Sequence, residues 1–176
     1  MRLFFALWPP VALQAKLMQH AARLSLSPGA RPVVAENLHL TLAFLGSVAT
    51  ARLADIEAVA RGVSFAPFQF VLDTQGAFPR AGSVWLGLTH TPAALSDLVA
   101  RLRIGLTEMG LPGEARAFHP HVTLARSREH MRPLPVRAAI APLVWPVDTF
   151  RLVQSQTLAQ GPIYRQVAEF KANVEV

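Results

Sequence analysis

Two histidines and two threonines share one spacing in this chain. His39 and Thr41 stand two apart within NLHLTLAFLG (37–46), and His121 and Thr123 repeat the pattern in HVTLAR (121–126). Strand side chains alternate between faces, so the members of each pair would share a face about 6–7 Å apart. If both strands turned those faces to one cleft, it would hold two imidazoles and two hydroxyls. Imidazole titrates near 6.5, so one ring can accept a proton while the other donates one. The hydroxyls can donate to the non-bridging oxygens of a phosphate, whose charge the transition state must carry. In-line displacement at phosphorus needs a base on one side and an acid on the other, and two histidines supply both without a metal.

The segments around these pairs read as strands and helices in a repeating order. RLFFAL (2–7) is apolar and aromatic, as a buried strand would be, and Pro10 suits the first turn of a helix carrying Leu13, Leu17 and Leu24. Residues 38–45 form a strand with His39, Thr41 and Ala43 on one face and Leu40, Leu42 and Phe44 toward the core. Thr50 is placed to cap a helix bearing Leu53, Ile56 and Val59, closed by Gly62, and FQFVLD (68–73) is a further strand. Then the order restarts. SVWLGLT (83–89) is a strand, and Leu95, Val99, Leu102 and Leu106 mark a helix that Gly110 ends. Two strands close the chain, 145–156 and 163–172, joined as a hairpin across TLAQGP.

A constant offset of 82 residues carries Pro10 onto Pro92, Leu13 onto Leu95, Leu17 onto Val99, His39 onto His121 and Thr41 onto Thr123. One offset across a helix and a strand points to an internal duplication and hence to two similar lobes, about 1–75 and 76–176, within a single domain spanning 1–176. The C-terminal hairpin is able to cross between them.

Bulk composition sets bounds. The chain has 176 residues, 52% of them apolar, enough for one packed core. With no cysteine, disulfides and thiolate chemistry are excluded, which suits a reducing cytoplasm. The apolar run of MRLFFALWPP ends at two prolines, too early for a secretory signal, and no run is long enough to span a membrane. The net charge is +6, with 17 Lys and Arg against 11 Asp and Glu, and all the basic residues but Lys16 and Lys171 are arginine. A basic, arginine-rich surface suits polyanions, although the charge alone does not name one.

HLTL (39–42) and HVTL (121–124), together with RLFFAL, NLHLTLAFLG, VWLGL and FHPHVTLAR, resemble the paired His-x-Thr-x signature of the 2H phosphoesterases. The likeness covers essentially the whole chain and is to the bacterial and archaeal branch of RNA 2′,3′-cyclic phosphodiesterases, also called 2′-5′ RNA ligases. The resemblance implies an α+β fold of two pseudo-symmetric lobes, with antiparallel sheets lining a central cleft and helices outside. It implies a metal-independent, cofactor-free enzyme that opens a 2′,3′-cyclic phosphate on RNA or a nucleotide to a 2′-phosphomonoester, with reversible 2′-5′ joining of RNA ends as an associated activity. His39, Thr41, His121 and Thr123 carry over by motif as the catalytic and phosphate-binding set. The family pattern favours His121 activating water and His39 protonating the departing ribose oxygen; the sequence leaves that order open. A cytoplasmic monomer is the expectation.

Other residues have competing readings. Arg126 follows the second motif where Phe44 follows the first. A regular strand would turn Arg126 away from the cleft, whereas an arginine here is common in the family and would bind phosphate from a strand end or bend. Phe4, Phe44, Trp85 and Phe118 adjoin the cleft strands and could stack on bases, though aromatic residues in strands usually serve the core. Tyr164 and Ser155 could line the cleft from the C-terminal hairpin. His119 and His121 alternate as metal ligands sometimes do, but no acidic cluster accompanies them. HPHVT also resembles the histidine-triad hydrolases, except that Thr123 occupies the third position. His20, His90 and His130 fit surface or packing roles. Two other functions compete: an RNA-end-binding module, and a phosphodiesterase for small cyclic nucleotides or an ADP-ribose cyclic phosphate.

Overall fold

The computed structural model describes residues 1–24, 29–111, 117–127, 138–158 and 161–173. His130, part of the 25–32 turn and the tip of the C-terminal hairpin at 159–160 lie outside them. The described strands are β1 (Arg2–Leu7), β2 (Arg31–Pro32), β3 (Leu40–Ser47), β4 (Phe68–Phe78), β5 (Ser83–Gly87), β6 (His121–Arg126), β7 (Ala138–Val147), β8 (Thr149–Leu158) and β9 (Gly161–Lys171). Three helices join them: α1 (Val11–Ala22), α2 (Leu53–Arg61) and α3 (Ala93–Glu108). All strand pairings are antiparallel, in the order β7-β4-β5-β6-β3-β1-β8-β9, with β2 beside β6. The fold is α+β.

Apolar periodicity explains how the helices seat. Leu13, Leu17 and Ala21 of α1, and Leu95, Leu98, Val99, Leu102 and Leu106 of α3, are buried at helical spacing. The first helix packs across β6 and β7, the third meets β3, and α2 lies against α3 and β9. Their apolar sides join Leu3, Phe5, Leu7, Leu40, Leu42, Val122, Leu124 and Phe150 in one continuous core cluster. Gly110 ends α3 in the left-handed conformation at φ 76°, where a side chain would be strained. Thr50, by contrast, makes no capping bond: residues 50–52 form a short 3₁₀ turn ahead of α2.

Three local differences from the sequence expectation have physical causes. The single strand expected at 145–156 is two strands meeting at Asp148, and β7 begins earlier, at Ala138. Pro142 and Pro146 made 138–147 read poorly as a strand, but β7 is a sheet edge paired only to β4, where proline is tolerated. β4 reaches Phe78 and pairs with β5 and β7, while β8 pairs with β1. Sequence order and sheet order therefore part company: β4 stands among strands of the second half, and the C-terminal hairpin beside the first strand.

The third difference lies in the histidine strands. The β1–β3 register passes from Ala6↔Thr41 to Phe5↔Ala43, leaving Leu42 as an extra residue. The β5–β6 register passes from Trp85↔Thr123 to Val84↔Ala125, leaving Leu124 as the extra one. Each is a β-bulge, and each reverses the facing of the residues beyond it. Leu42 and Ala43 are both buried, so Phe44 emerges on the face of His39 rather than in the core, and is 53% exposed. Arg126 is turned to the cleft by the same device, because it pairs with Ser83, two residues from Trp85 on the same side of β5.

Candidate active site

The strands that carry the two histidines meet at one point. Leu40 of β3 pairs with Val122 of β6. Counting outward in that antiparallel register sets Thr41 opposite His121 and His39 opposite Thr123. Leu40 and Val122 are fully buried, whereas the two histidines and two threonines are partly accessible. The polar residues thus occupy the sheet face opposite the core, as alternation dictates.

Both rings are oriented by the same kind of bond. Nδ1 of His39 lies 2.7 Å from the Asn37 carbonyl, and Nδ1 of His121 lies 2.6 Å from the His119 carbonyl. A carbonyl only accepts, so each Nδ1 carries a hydrogen, and in a neutral ring Nε2 holds the lone pair. Among the described residues no hydrogen-bond partner is found for the hydroxyls of Thr41 and Thr123.

The surroundings of the two rings differ. Trp8 stacks on His39 with centroids 5.2 Å apart and an interplanar angle of 15°, while Phe4 and Tyr164 each approach it to 5.0 Å. That burial pushes the His39 pKa down from 6.5 to about 4. The Asn37 carbonyl works against the shift, and the charges of Arg126 and His121 add to it. Burial also raises the Tyr164 phenol, against the opposing pull of Arg126 and Arg2. His121 meets Phe78 edge-on at 5.1 Å and Trp85 at 6.3 Å. It opens onto a hollow of about 140 Å³ whose lining includes Thr89, Thr91, Phe118 and His119.

The aromatic residues expected at the cleft divide by exposure. Phe4 and Trp85 are 2% and 6% exposed, so neither has a ring face open to a base. They serve instead as floor beneath His39 and beside His121. Phe44 is open, 5.9 Å from Phe4, and Phe118 is half-buried under the Arg103 guanidinium at 5.9 Å. Tyr164 sits at the site; Ser155, its cross-strand partner, also pairs with Arg2. Trp8 was not singled out from the sequence, although Phe4, Ala6 and Trp8 alternate onto the face that Thr41 shares. His20 pairs with Gln75 at 3.0 Å, and His90 is exposed. Among the described residues, no group of three or more His, Asp or Glu is arranged to hold a metal ion, and no helix is long and apolar enough to cross a membrane.

Residues 9–158 match the family model described as the 2′-5′ RNA ligase superfamily. A Thermus thermophilus protein named RNA 2′,3′-cyclic phosphodiesterase is 34% identical, the match covering 99% of this chain and 92% of that protein. One of the same name from Escherichia coli is 35% identical over 76% of each. Among solved structures, E. coli LigT complexed with 3′-AMP superposes with a TM-score of 0.86 at 30% identity, covering 98% of both chains. TT0787 of T. thermophilus gives 0.85 at 31% identity, covering 97% of both.

Proposed function

The chain belongs to the 2′-5′ RNA ligase superfamily, and on that premise we propose that it hydrolyses the 2′,3′-cyclic phosphate of RNA or a nucleotide to a 2′-phosphomonoester, without a metal. The observation that carries this reading is the Leu40–Val122 pairing, which sets each histidine across from the other strand's threonine. The relatives named RNA 2′,3′-cyclic phosphodiesterase and the likeness to a LigT complex with 3′-AMP support it.

In this mechanism Thr41, Thr123 and Arg126 hold the non-bridging oxygens. His121 takes a proton from the attacking water through Nε2, and His39 gives one to the ribose 3′ oxygen as the P–O bond breaks. A His39 held near pKa 4 is neutral in the free protein at pH 7 and has no proton to give. The substrate's own charge supplies the remedy. A phosphate anion about 4 Å away, at an effective dielectric of about 20, favours the imidazolium by about 4 kcal/mol, or about 3 units of pKa. His39 is then armed as an acid only when the anion is bound. Phe44 offers a face for the base of the departing nucleoside. Reversible 2′-5′ joining uses the same groups, with a ribose hydroxyl in place of water.

We also propose the two-lobed division. The 82-residue offset and the matching bulges at Leu42 and Leu124 support it, as does the narrowness of the one β3–β6 contact, Leu40 with Val122, that joins β1-β3-β8-β9 to β4-β5-β6-β7 in the single sheet. A cytoplasmic monomer completes the proposal.

The test is hydrolysis of a short RNA ending in a 2′,3′-cyclic phosphate, in EDTA, by the native chain, His39→Ala and His121→Ala. General acid–base groups contribute about 10²–10⁴-fold each, so each variant should lose activity on that scale. Robust turnover by either variant would remove that histidine from the mechanism. Binding without turnover by the native chain would favour the RNA-end-binding alternative. A phosphodiester with a p-nitrophenolate leaving group needs no acid, so His39→Ala should regain much of its loss on it and His121→Ala should not. The reverse outcome exchanges the two roles.

A further inference from the structure

The indole that stacks on His39 is not fixed by the sheet. Trp8 lies just beyond the last β1–β3 pair, Leu7↔Leu40, and is followed by Pro9 and Pro10. The prolines restrict its backbone, but no ladder partner holds its side chain. A guanidinium meets it instead. Arg151 Cζ stands 5.8 Å from the Trp8 ring centroid, within cation–π range. Arg151 comes from β8, where its partner on β1 is Ala6, whose short side chain leaves the way to Trp8 open. Across the β8–β9 ladder it pairs with Glu169, Nε donating to Oε2 at 2.9 Å. Each side chain of the pair is 31% exposed. One cation is thus held between an indole and a carboxylate, and the indole lies at 15° to the imidazole, 5.2 Å away.

A partly exposed ion pair contributes little to stability, so its consequence here is positional. We propose that Arg151 and Glu169 are positioning residues for the catalytic acid: together they clamp the Trp8 indole against His39 and keep water from the imidazole until substrate enters. This rests on the reading above, in which His39 gives the proton to the departing ribose oxygen. With the clamp released, the indole is free to turn about its side-chain bonds, water reaches the ring, and the ring loses the orientation that aims Nε2. The other groups around His39 are the Tyr164 phenol of β9 and the charges of Arg126 and His121 of β6, while Arg2 of β1 acts on Tyr164. Arg151 touches the indole rather than the imidazole, and so acts through Trp8.

The test follows the imidazole signal of His39 by NMR as pH is lowered, in the full-length native protein, Arg151→Met and Glu169→Ala. The native ring has its midpoint at about 4. Both variants should raise that midpoint by about 1 pH unit, because hydration restores the cation. The two substitutions separate a clamp from a direct field. Removing the positive charge of Arg151 would raise the midpoint on either account, but removing the negative charge of Glu169 would lower it if charge alone mattered. A midpoint that falls in Glu169→Ala, or stays at the native value in both variants, therefore overturns the proposal. Turnover gives a second readout: hydrolysis of the cyclic end by each variant should fall about tenfold more than hydrolysis of the p-nitrophenolate ester, the scale of one lost contact. Equal losses on the two substrates would also overturn it, since the acid would then be undisturbed. If the native protein hydrolyses no cyclic end, the function reading fails, while the His39 titration still decides whether the clamp exists.

Discussion

Enclosing an imidazole between Trp8, Phe4 and Tyr164 removes the water that would stabilise its cation. That is why His39, unlike a solvated histidine, stays neutral down to a pKa of about 4. The same shift bears on stability. Between pH 6.5 and about 4 the unfolded chain binds a proton at this position that the native chain does not, so native stability falls as pH drops through that window. The full effect is about 3 kcal/mol, reached near the lower end. Urea unfolding of the native chain and His39→Gln should show a stability difference that shifts in favour of the variant, by up to that amount, as pH is lowered from 7 to 4. Curves parallel across the range would mean that burial does not suppress the charge. The loss of the Asn37 contact in the variant adds an offset that does not depend on pH, so the slope is the quantity to compare.

At the scale of elements, the site is made by how strands bend and approach as much as by which residues they carry. The paired His-x-Thr pattern made both histidines, both threonines and the opposed strands legible, because a period of two survives in any regular strand. The bulges at Leu42 and Leu124 were not legible, since an extra apolar residue in an apolar strand changes no pattern. With them went the facing of Phe44 and Arg126. Gly76 was invisible for a related reason: it lies in an ordinary strand, but the Trp85 ring lies over it. A Cβ at Gly76 would come within 2.6 Å of Trp85 Cη2 and 2.9 Å of Cε2. Gly76→Ala should therefore cost about 1–3 kcal/mol through overpacking, read as a lower denaturation midpoint at an unchanged slope. Displacing Trp85 also disturbs the neighbourhood of His121, so turnover should fall more than the folded fraction explains. An unaltered midpoint would show that the indole has another place to go.

At the scale of the whole molecule, the two proposed lobes need not be two folding units. The 82-residue offset divides the chain into two halves in sequence order. The sheet does not. β8 and β9, last in sequence, cover β1, the first strand, so the N-terminal set is complete only when the C-terminus has arrived. Asn37 reinforces this by donating from Nδ2 to the Pro162 carbonyl at 3.0 Å, across 125 residues. The helices cross as well, with α1 on β6 and β7 and α3 against β3. One continuous apolar cluster includes Leu3, Leu17, Leu98, Leu124, Trp145 and Phe170. Splitting the lobes would expose apolar surface on both, at about 25 cal/mol for every Å². Unfolding should therefore be a single transition, with the calorimetric and van't Hoff enthalpies equal. A chain ending at Val147 lacks the β8–β9 hairpin, which contributes Phe150, Leu152 and Phe170 to that cluster, and should fail to give a cooperative transition at all. Two resolved transitions in the full chain, or a folded truncated one, would mean that the lobes are stable alone. In that case the cleft would depend on their docking. With a shared core, the opposed histidines are fixed by folding itself.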